Sequence, residues 1–167
     1  MKGNNLAVYP GSYDPLTNGH LDIIKRGLEL FERIVVVLLV NPQKKYLFNT
    51  VERMTMLQDV FAAEPRIEID QYQGLLVDYL RCRQIMTVVR GLRAISDFEI
   101  EFQMALMNRN IEPAMETVFL VPSIKYSFLS SRLVKEIYQL GGDVRSLVPQ
   151  EVHNRLEEKF RTGEVIS

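Results

Sequence analysis

The run IVVVLLV, Ile34–Val40, places seven apolar residues in succession, most of them β-branched. A strand with one wet face alternates apolar and polar side chains. An unbroken run belongs to a strand covered on both faces, as in the interior of a parallel sheet. It is far too short to cross a bilayer. The rest of the chain must therefore supply neighbouring strands and two layers of helix.

It does so in regular order. LAVY (6–9), IEID (67–70), TVVRG (87–91) and TVFLV (117–121) have strand composition. Helical spacing of apolar residues runs through 19–31, 50–63, 75–85 and 97–110, and Ser96-Asp-Phe-Glu99 has the form of a capping box for the last of these. After the fifth strand, SSRLVKEIYQLGG (130–142) reads as a helix closed by glycine, and PQEVHNRLEEKF (149–160) as one opened by proline. The order βαβαβαβαβαα predicts a Rossmann-like, doubly wound α/β fold: five parallel strands with helices on both faces. No repeat or linker divides it, so residues 1–167 read as one domain. Ligands in such sheets lie at the carboxyl ends of strands, near the point where strand order reverses.

Bulk properties narrow the function. A net charge of −1 gives no blanket affinity for nucleic acid or an anionic membrane, so any anion site must be a local gathering of Lys and Arg. The N-terminus has no apolar stretch of signal-peptide length. The lone cysteine, Cys82, excludes an internal disulfide and a thiol zinc site; it reads as a packing residue, and a cytoplasmic location is expected. His153, one of two histidines, reads as a surface residue of the last helix. Met54, Met56, Met104 and Met107 read as core or subunit-contact residues.

Four post-strand segments carry groups suited to phosphate. In AVYPGSYDPLTNGH (7–20) a β-run is expected to stop at Pro10-Gly11, followed by a loop ending at a helix start. Gly11 and Gly19 allow close backbone approach, Ser12 and Thr17 offer hydroxyls, and His20 lies in the first helical turn. NPQKKYLFN brings Lys44. VVRGLRAISDFEIE brings Arg90 and Arg93 around Gly91, with Glu101 beyond. PSIKYSFLSSRLVKE brings Ser127, Ser130 and Ser131, of which at least one is expected simply to cap a helix. Gly74-Leu75-Leu76 reads either as the lining of an apolar ligand arm or as core. Each cluster also has a plain surface reading; their recurrence at one end of the sheet favours a polyphosphate ligand. A Walker lysine loop, a GxGxxG turn, a nucleophile elbow and metal-ligand spacing are all missing from the sequence.

These residues carry a resemblance. YPGSYDPLTNGH resembles the T/H-x-G-H signature of the nucleotidyltransferase superfamily, which includes cytidylyltransferase-like domains. With RGLRAISDFEIE and YSFLSSRLVKE, the chain from about Leu6 to Phe160 resembles the bacterial phosphopantetheine adenylyltransferase family. The resemblance implies reversible adenylyl transfer from ATP to 4′-phosphopantetheine, giving dephospho-coenzyme A and pyrophosphate, with Mg²⁺ held mainly by ATP. It implies His20 as the residue stabilising the transition state. ATP contacts are implied at Ser12, Tyr13, His20, Gly91, Leu92, Arg93, Glu101 and the segment Tyr126, Ser127, Phe128, Leu129, Ser130, Ser131, Arg132. Phosphopantetheine contacts are implied at Ser12, Lys44, Leu76, Arg90 and Asn108. Family members are usually homohexamers inhibited by coenzyme A. Ser12 keeps a hydroxyl where threonine is common; Arg132 replaces a serine found in some relatives.

A phosphate monoester that attacks as an anion needs no general base, which fits a histidine without an acidic partner. The rival expectations are another acceptor, such as nicotinate mononucleotide, and a nucleotide sensor without catalysis.

Overall fold

The computed structural model describes residues 5–93 and 95–161, without the side chains of residues 95–97. The expected capping box at Ser96 lies outside the described residues. Five strands, β1 (Leu6–Gly11), β2 (Arg33–Val40), β3 (Ile67–Gln73), β4 (Thr87–Gly91) and β5 (Glu116–Leu120), form one parallel sheet in the order β3-β2-β1-β4-β5. Helices α1 (Asn18–Leu30), α2 (Thr50–Phe61), α3 (Leu76–Arg83) and α4 (Ile95–Ile111) make the crossovers, and α5 (Ser131–Gln139) and α6 (Gln150–Arg161) follow β5. None of the described helices is long and apolar enough to cross a membrane.

The apolar run behaves as its pattern requires. Ile34 to Leu38 have no exposed surface. Ile34, Val36 and Leu38 join one core with Ile24 of α1, Leu57 of α2 and Val152 of α6. Val35 and Val37 point to the opposite core with Val77 and Leu80 of α3. Burial of each such side chain stabilises the fold by about 1.5–3 kcal/mol.

The winding reverses between β1 and β4, and there the two strands part. Their pairing register contains only Val8 opposite Val88, whereas β1 pairs with β2 along its whole length. The resulting cleft opens at the carboxyl ends of both strands.

Several expectations need correction. β1 does not stop at Pro10-Gly11: Pro10 pairs with Val37 and Gly11 with Leu38. Pro10's carbonyl accepts from Arg90 on the β4 side. A strand residue's N–H and C=O face the same way, so proline's missing donor faces the cleft and costs the β2 ladder nothing. Cys82 is exposed on α3 and is not a packing residue. His153 is buried, edge-on to Tyr138, because α6 lays it beside Val152 and Leu156 against the core. Of the methionines read as core or subunit-contact residues, Met56 is core, and Met104 and Met107 are more than half exposed on α4, which leaves the second reading for them.

Candidate active site

The loop from Ser12 to Thr17 is fixed before any ligand arrives. Tyr13, with φ 47°, turns its ring inward, and its hydroxyl donates to the Tyr9 carbonyl at 2.6 Å. A Cβ on Gly11 would come within 2.8 Å of that ring, so this glycine serves the packing of Tyr13. Gly19 has ordinary contact distances of 3.5 Å or more. The Asp14–Pro15 peptide is cis. Arg53, almost fully buried under the Tyr46 ring, donates to the Ser12 carbonyl at 2.8 Å.

Thr17 caps α1 and His20 takes the place a glutamate usually holds in a capping box. Its Nδ1 accepts from the Thr17 backbone N–H at 3.0 Å and lies 2.9 Å from the Thr17 hydroxyl. A backbone N–H only donates, so Nδ1 holds a lone pair and the proton of the neutral ring is on Nε2. Desolvation, then the positive fields of Arg93 and Arg90, push the imidazole pKa down to about 4. At neutral pH His20 is an uncharged N–H donor. The Thr17 hydroxyl, expected to face a ligand, is used within this cap.

A cavity of about 300 Å³ lies over this ring, bounded by the carboxyl ends of β1 and β4 and the N-termini of α1 and α5. His20, Arg90 and Arg93 all line it. Of the expected ATP residues, Ser12, Tyr13, Gly91 and Glu101 also line it, as do Tyr126, Leu129, Ser130 and Ser131. Leu92, Ser127, Phe128 and Arg132 do not. Leu92 donates its N–H to Leu120, Ser127 its hydroxyl to the Ile124 carbonyl, and Arg132 pairs with Glu136 one turn along α5. Phe128 is largely exposed. Ser130 caps α5, accepting from the Leu133 N–H at 3.1 Å, as expected for one of these serines. The Ser131 hydroxyl donates to the Pro15 carbonyl at 2.7 Å.

A second cavity, of about 700 Å³, adjoins the first. Every expected phosphopantetheine residue lines it: Ser12, Lys44, Leu76, Arg90 and Asn108. Gly74, Leu75 and Leu76 are on its wall together, turned there by Gly74 at φ 142°, a conformation that favours glycine. Met104, Ala105 and Ile111 of α4 face them across the space.

Five residues line both cavities: Pro10, Gly11, Ser12, Arg90 and Glu101. Arg90 is the cationic part of this wall. Its Nη1 donates to the Pro10 carbonyl at 2.8 Å, and its Nε and Nη2 grip both oxygens of Glu101. Burial alone would lower the pKa of this guanidinium; the hydrogen bond and negative charge of Glu101 outweigh it and hold the pKa above the usual value. Glu101, expected as a ribose or base acceptor, is thus engaged by Arg90.

Three charged residues that hold these loops were not legible as such: Asp14, Arg53 and Lys135. Their partners lie 33 or more residues away in every contact that ties the opening loop to another segment. Arg53's helical position and the Asp in YDP were the only local signals.

The sequence matches the cytidylyltransferase-like family over residues 8–137. It is also similar to curated proteins called phosphopantetheine adenylyltransferase. The one from Desulfatibacillum aliphaticivorans is 50% identical over 155 residues, covering 93% of this chain and 89% of the relative. The one from Carboxydothermus hydrogenoformans is 52% identical over 156 residues, 93% and 96% of the two chains. That from Dictyoglomus thermophilum is 53% identical over 154 residues, 92% and 94%.

Proposed function

Because the chain belongs to the cytidylyltransferase-like family and, within it, to the phosphopantetheine adenylyltransferases, we propose that it transfers the adenylyl group of ATP to 4′-phosphopantetheine. The observation that carries the reading is the wall shared by the two cavities. ATP is assigned to the smaller one, beneath which His20 and Arg93 lie. The pantetheine arm is assigned to the larger one, along Leu76 and the α4 side chains, with its phosphate between Lys44 and Arg90.

A phosphate oxygen of the acceptor attacks the α-phosphorus of ATP. A new P–O bond forms, the bond to the α,β-bridging oxygen breaks, and pyrophosphate leaves with the electron pair. The attacking group is already anionic, so no residue has to remove a proton. The protein's task is to hold two anions together and to meet the charge that grows in the transition state. Neutral His20, donating from Nε2, does the second. Arg90, Arg93 and Lys44 do the first.

Among the described residues no three His, Cys, Asp or Glu side chains gather as a metal cage, and Glu101 is engaged by Arg90. This donor set suits a Mg²⁺ that arrives on the triphosphate oxygens, where it neutralises charge. The exposed apolar side chains of α4, among them Phe98, Ile100, Phe102, Leu106 and Met107, support assembly of several copies, which we assign as a homohexamer. Coenzyme A, which contains the pantetheine arm, is the proposed feedback inhibitor, and the cytoplasm the proposed location.

The test is product analysis. Incubation with ATP, Mg²⁺ and 4′-phosphopantetheine is expected to yield dephospho-coenzyme A and pyrophosphate by mass spectrometry, with none of the corresponding adduct from nicotinate mononucleotide. Product from the second acceptor alone would reassign the substrate. ATP binding without product from either would make the chain a nucleotide sensor.

A further inference from the structure

The carboxylate of Asp14 is buried, and three donors from two distant parts of the chain meet on it. Oδ2 accepts from the Leu47 N–H at 3.0 Å and from Lys135 Nζ at 2.6 Å; Oδ1 accepts from the Phe48 N–H at 2.9 Å. A buried carboxylate with no partners is costly, and three charge-assisted bonds are what makes it tolerable. None of these atoms lines either of the two adjoining cavities. The pair therefore stands behind the site and acts on it through backbone.

What it joins is specific. Asp14 belongs to the loop between Ser12 and His20. Leu47 and Phe48 end the segment after β2 that carries Lys44. Lys135 is on α5, one turn beyond Ser130 and Ser131. The Ser131–Pro15 hydrogen bond already ties α5 to the opening loop, so that junction has a second tie. Between the opening loop and the Lys44 segment, the polar ties among the described residues are Asp14's two bonds and the Arg53 bond to Ser12 from the helix that follows, beside the apolar packing of Phe48 in the core that holds Tyr13 and Leu16.

We propose that Asp14, held in place by Lys135, is a positioning residue for adenylyl transfer: it sets the distance between the segment bearing Lys44 and the loop bearing His20. The assignment rests on the function proposed above. Loss of the carboxylate releases the Lys44 segment while leaving α1, the His20 cap and the Ser131 tie intact. It therefore affects the acceptor more than ATP. A purely structural role would instead lower both affinities together with thermal stability.

The experiment compares the parent with Asp14→Asn and Lys135→Gln in the full chain. Steady-state kinetics give KM and kcat for 4′-phosphopantetheine, and calorimetry gives the Kd of α,β-methylene-ATP, which cannot be cleaved at the reacting bond. An amide at position 14 presents an N–H₂ group to donors. Asp14→Asn is therefore expected to lower kcat/KM for the acceptor about tenfold or more, because misplacement of a reactant by an ångström has effects of that order, with the analogue's Kd within about threefold. Lys135→Gln is expected to shift the same constant in the same direction, by at least about fivefold. Its ammonium is partly exposed, so this variant decides the matter where Asp14→Asn does not fold. An acceptor kcat/KM within threefold of the parent overturns the assignment, and so does an equal loss of acceptor and analogue affinity. No dephospho-coenzyme A from the parent enzyme overturns the function itself and this assignment with it. Product from the parent with unaltered variants overturns the assignment alone.

Discussion

The backbone N–H of Thr17 donates to Nδ1 of His20 across 3.0 Å, and this one bond selects the tautomer of the ring. With Nδ1 accepting, the neutral imidazole has its only proton on Nε2, the nitrogen left to donate toward a ligand in the cavity that His20 lines. The helix start thus builds a hydrogen-bond donor whose orientation is set by its own cap.

Replacing His20 with alanine removes that donor. The expected outcome is a fall in kcat of about 10²–10³-fold or more, as for loss of one preorganised transition-state donor, with ATP still bound. Steady-state kinetics beside calorimetry with α,β-methylene-ATP check it. A near-normal kcat would remove His20 from the chemistry.

The ring is expected to titrate far below an ordinary histidine. Nitrogen NMR of selectively labelled protein should show the Nε2–H form at pH 7 and a midpoint near the value of about 4 given by burial and the two arginines. The sign of the stability effect follows. Between pH 6.5 and 4 the unfolded chain holds a proton on this residue that the folded chain does not, so stability falls as pH drops through that window. The fall amounts to at most about 3 kcal/mol, the equivalent of the shift. His20→Asn should abolish this part of the acid destabilisation in denaturant melts recorded from pH 7 to 4. An unchanged acid profile in that variant would show that the ring titrates normally.

Lys44 lines the larger cavity beside Arg90, and its exposed ammonium has no structural task to lose. Lys44→Ala is expected to raise KM for 4′-phosphopantetheine about tenfold or more, the scale of a lost charged contact, and to leave the melting temperature in place. The check is acceptor-dependent kinetics at saturating ATP. An unchanged acceptor response takes Lys44 out of the site.

Much of this arrangement is written locally. The apolar run at Ile34–Val40 specifies a doubly covered strand, and the helix boundaries follow from spacing and terminators a few residues away. Site residues were legible for the same reason: each follows a strand, and a parallel sheet brings all such loops to one end. What was not legible depends on distant partners. Asp14 and Lys135 meet across 121 positions, and nothing near either announces the other. Arg53 looks like an ordinary helical arginine until the fold slides it beneath Tyr46. His153 had a local signal, since it follows Val152 and precedes Leu156 on the stripe that α6 buries; an imidazole's apolar body fits there. Thr17 and His20 formed a capping box that a search for glutamate or glutamine at the third position passes over.

The two glycines of the opening loop separate packing from ligand approach. At Gly11 a methyl group would press on the immobile Tyr13 ring, whose hydroxyl is tied to Tyr9. Gly11→Ala is therefore expected to destabilise the fold by about 1–3 kcal/mol, the range for overpacking a close-packed site. At Gly19 the same methyl group meets Thr17 and Leu129 at 3.5 Å and beyond, which is ordinary contact. Alanine is also the better helix former in the first turn. Gly19→Ala should keep or raise the melting temperature while weakening α,β-methylene-ATP, because the added carbon occupies space on the cavity wall that the triphosphate needs. Melting curves and calorimetry on both variants decide it. Full analogue affinity in a stable Gly19→Ala protein would mean that no ligand atom approaches the start of α1.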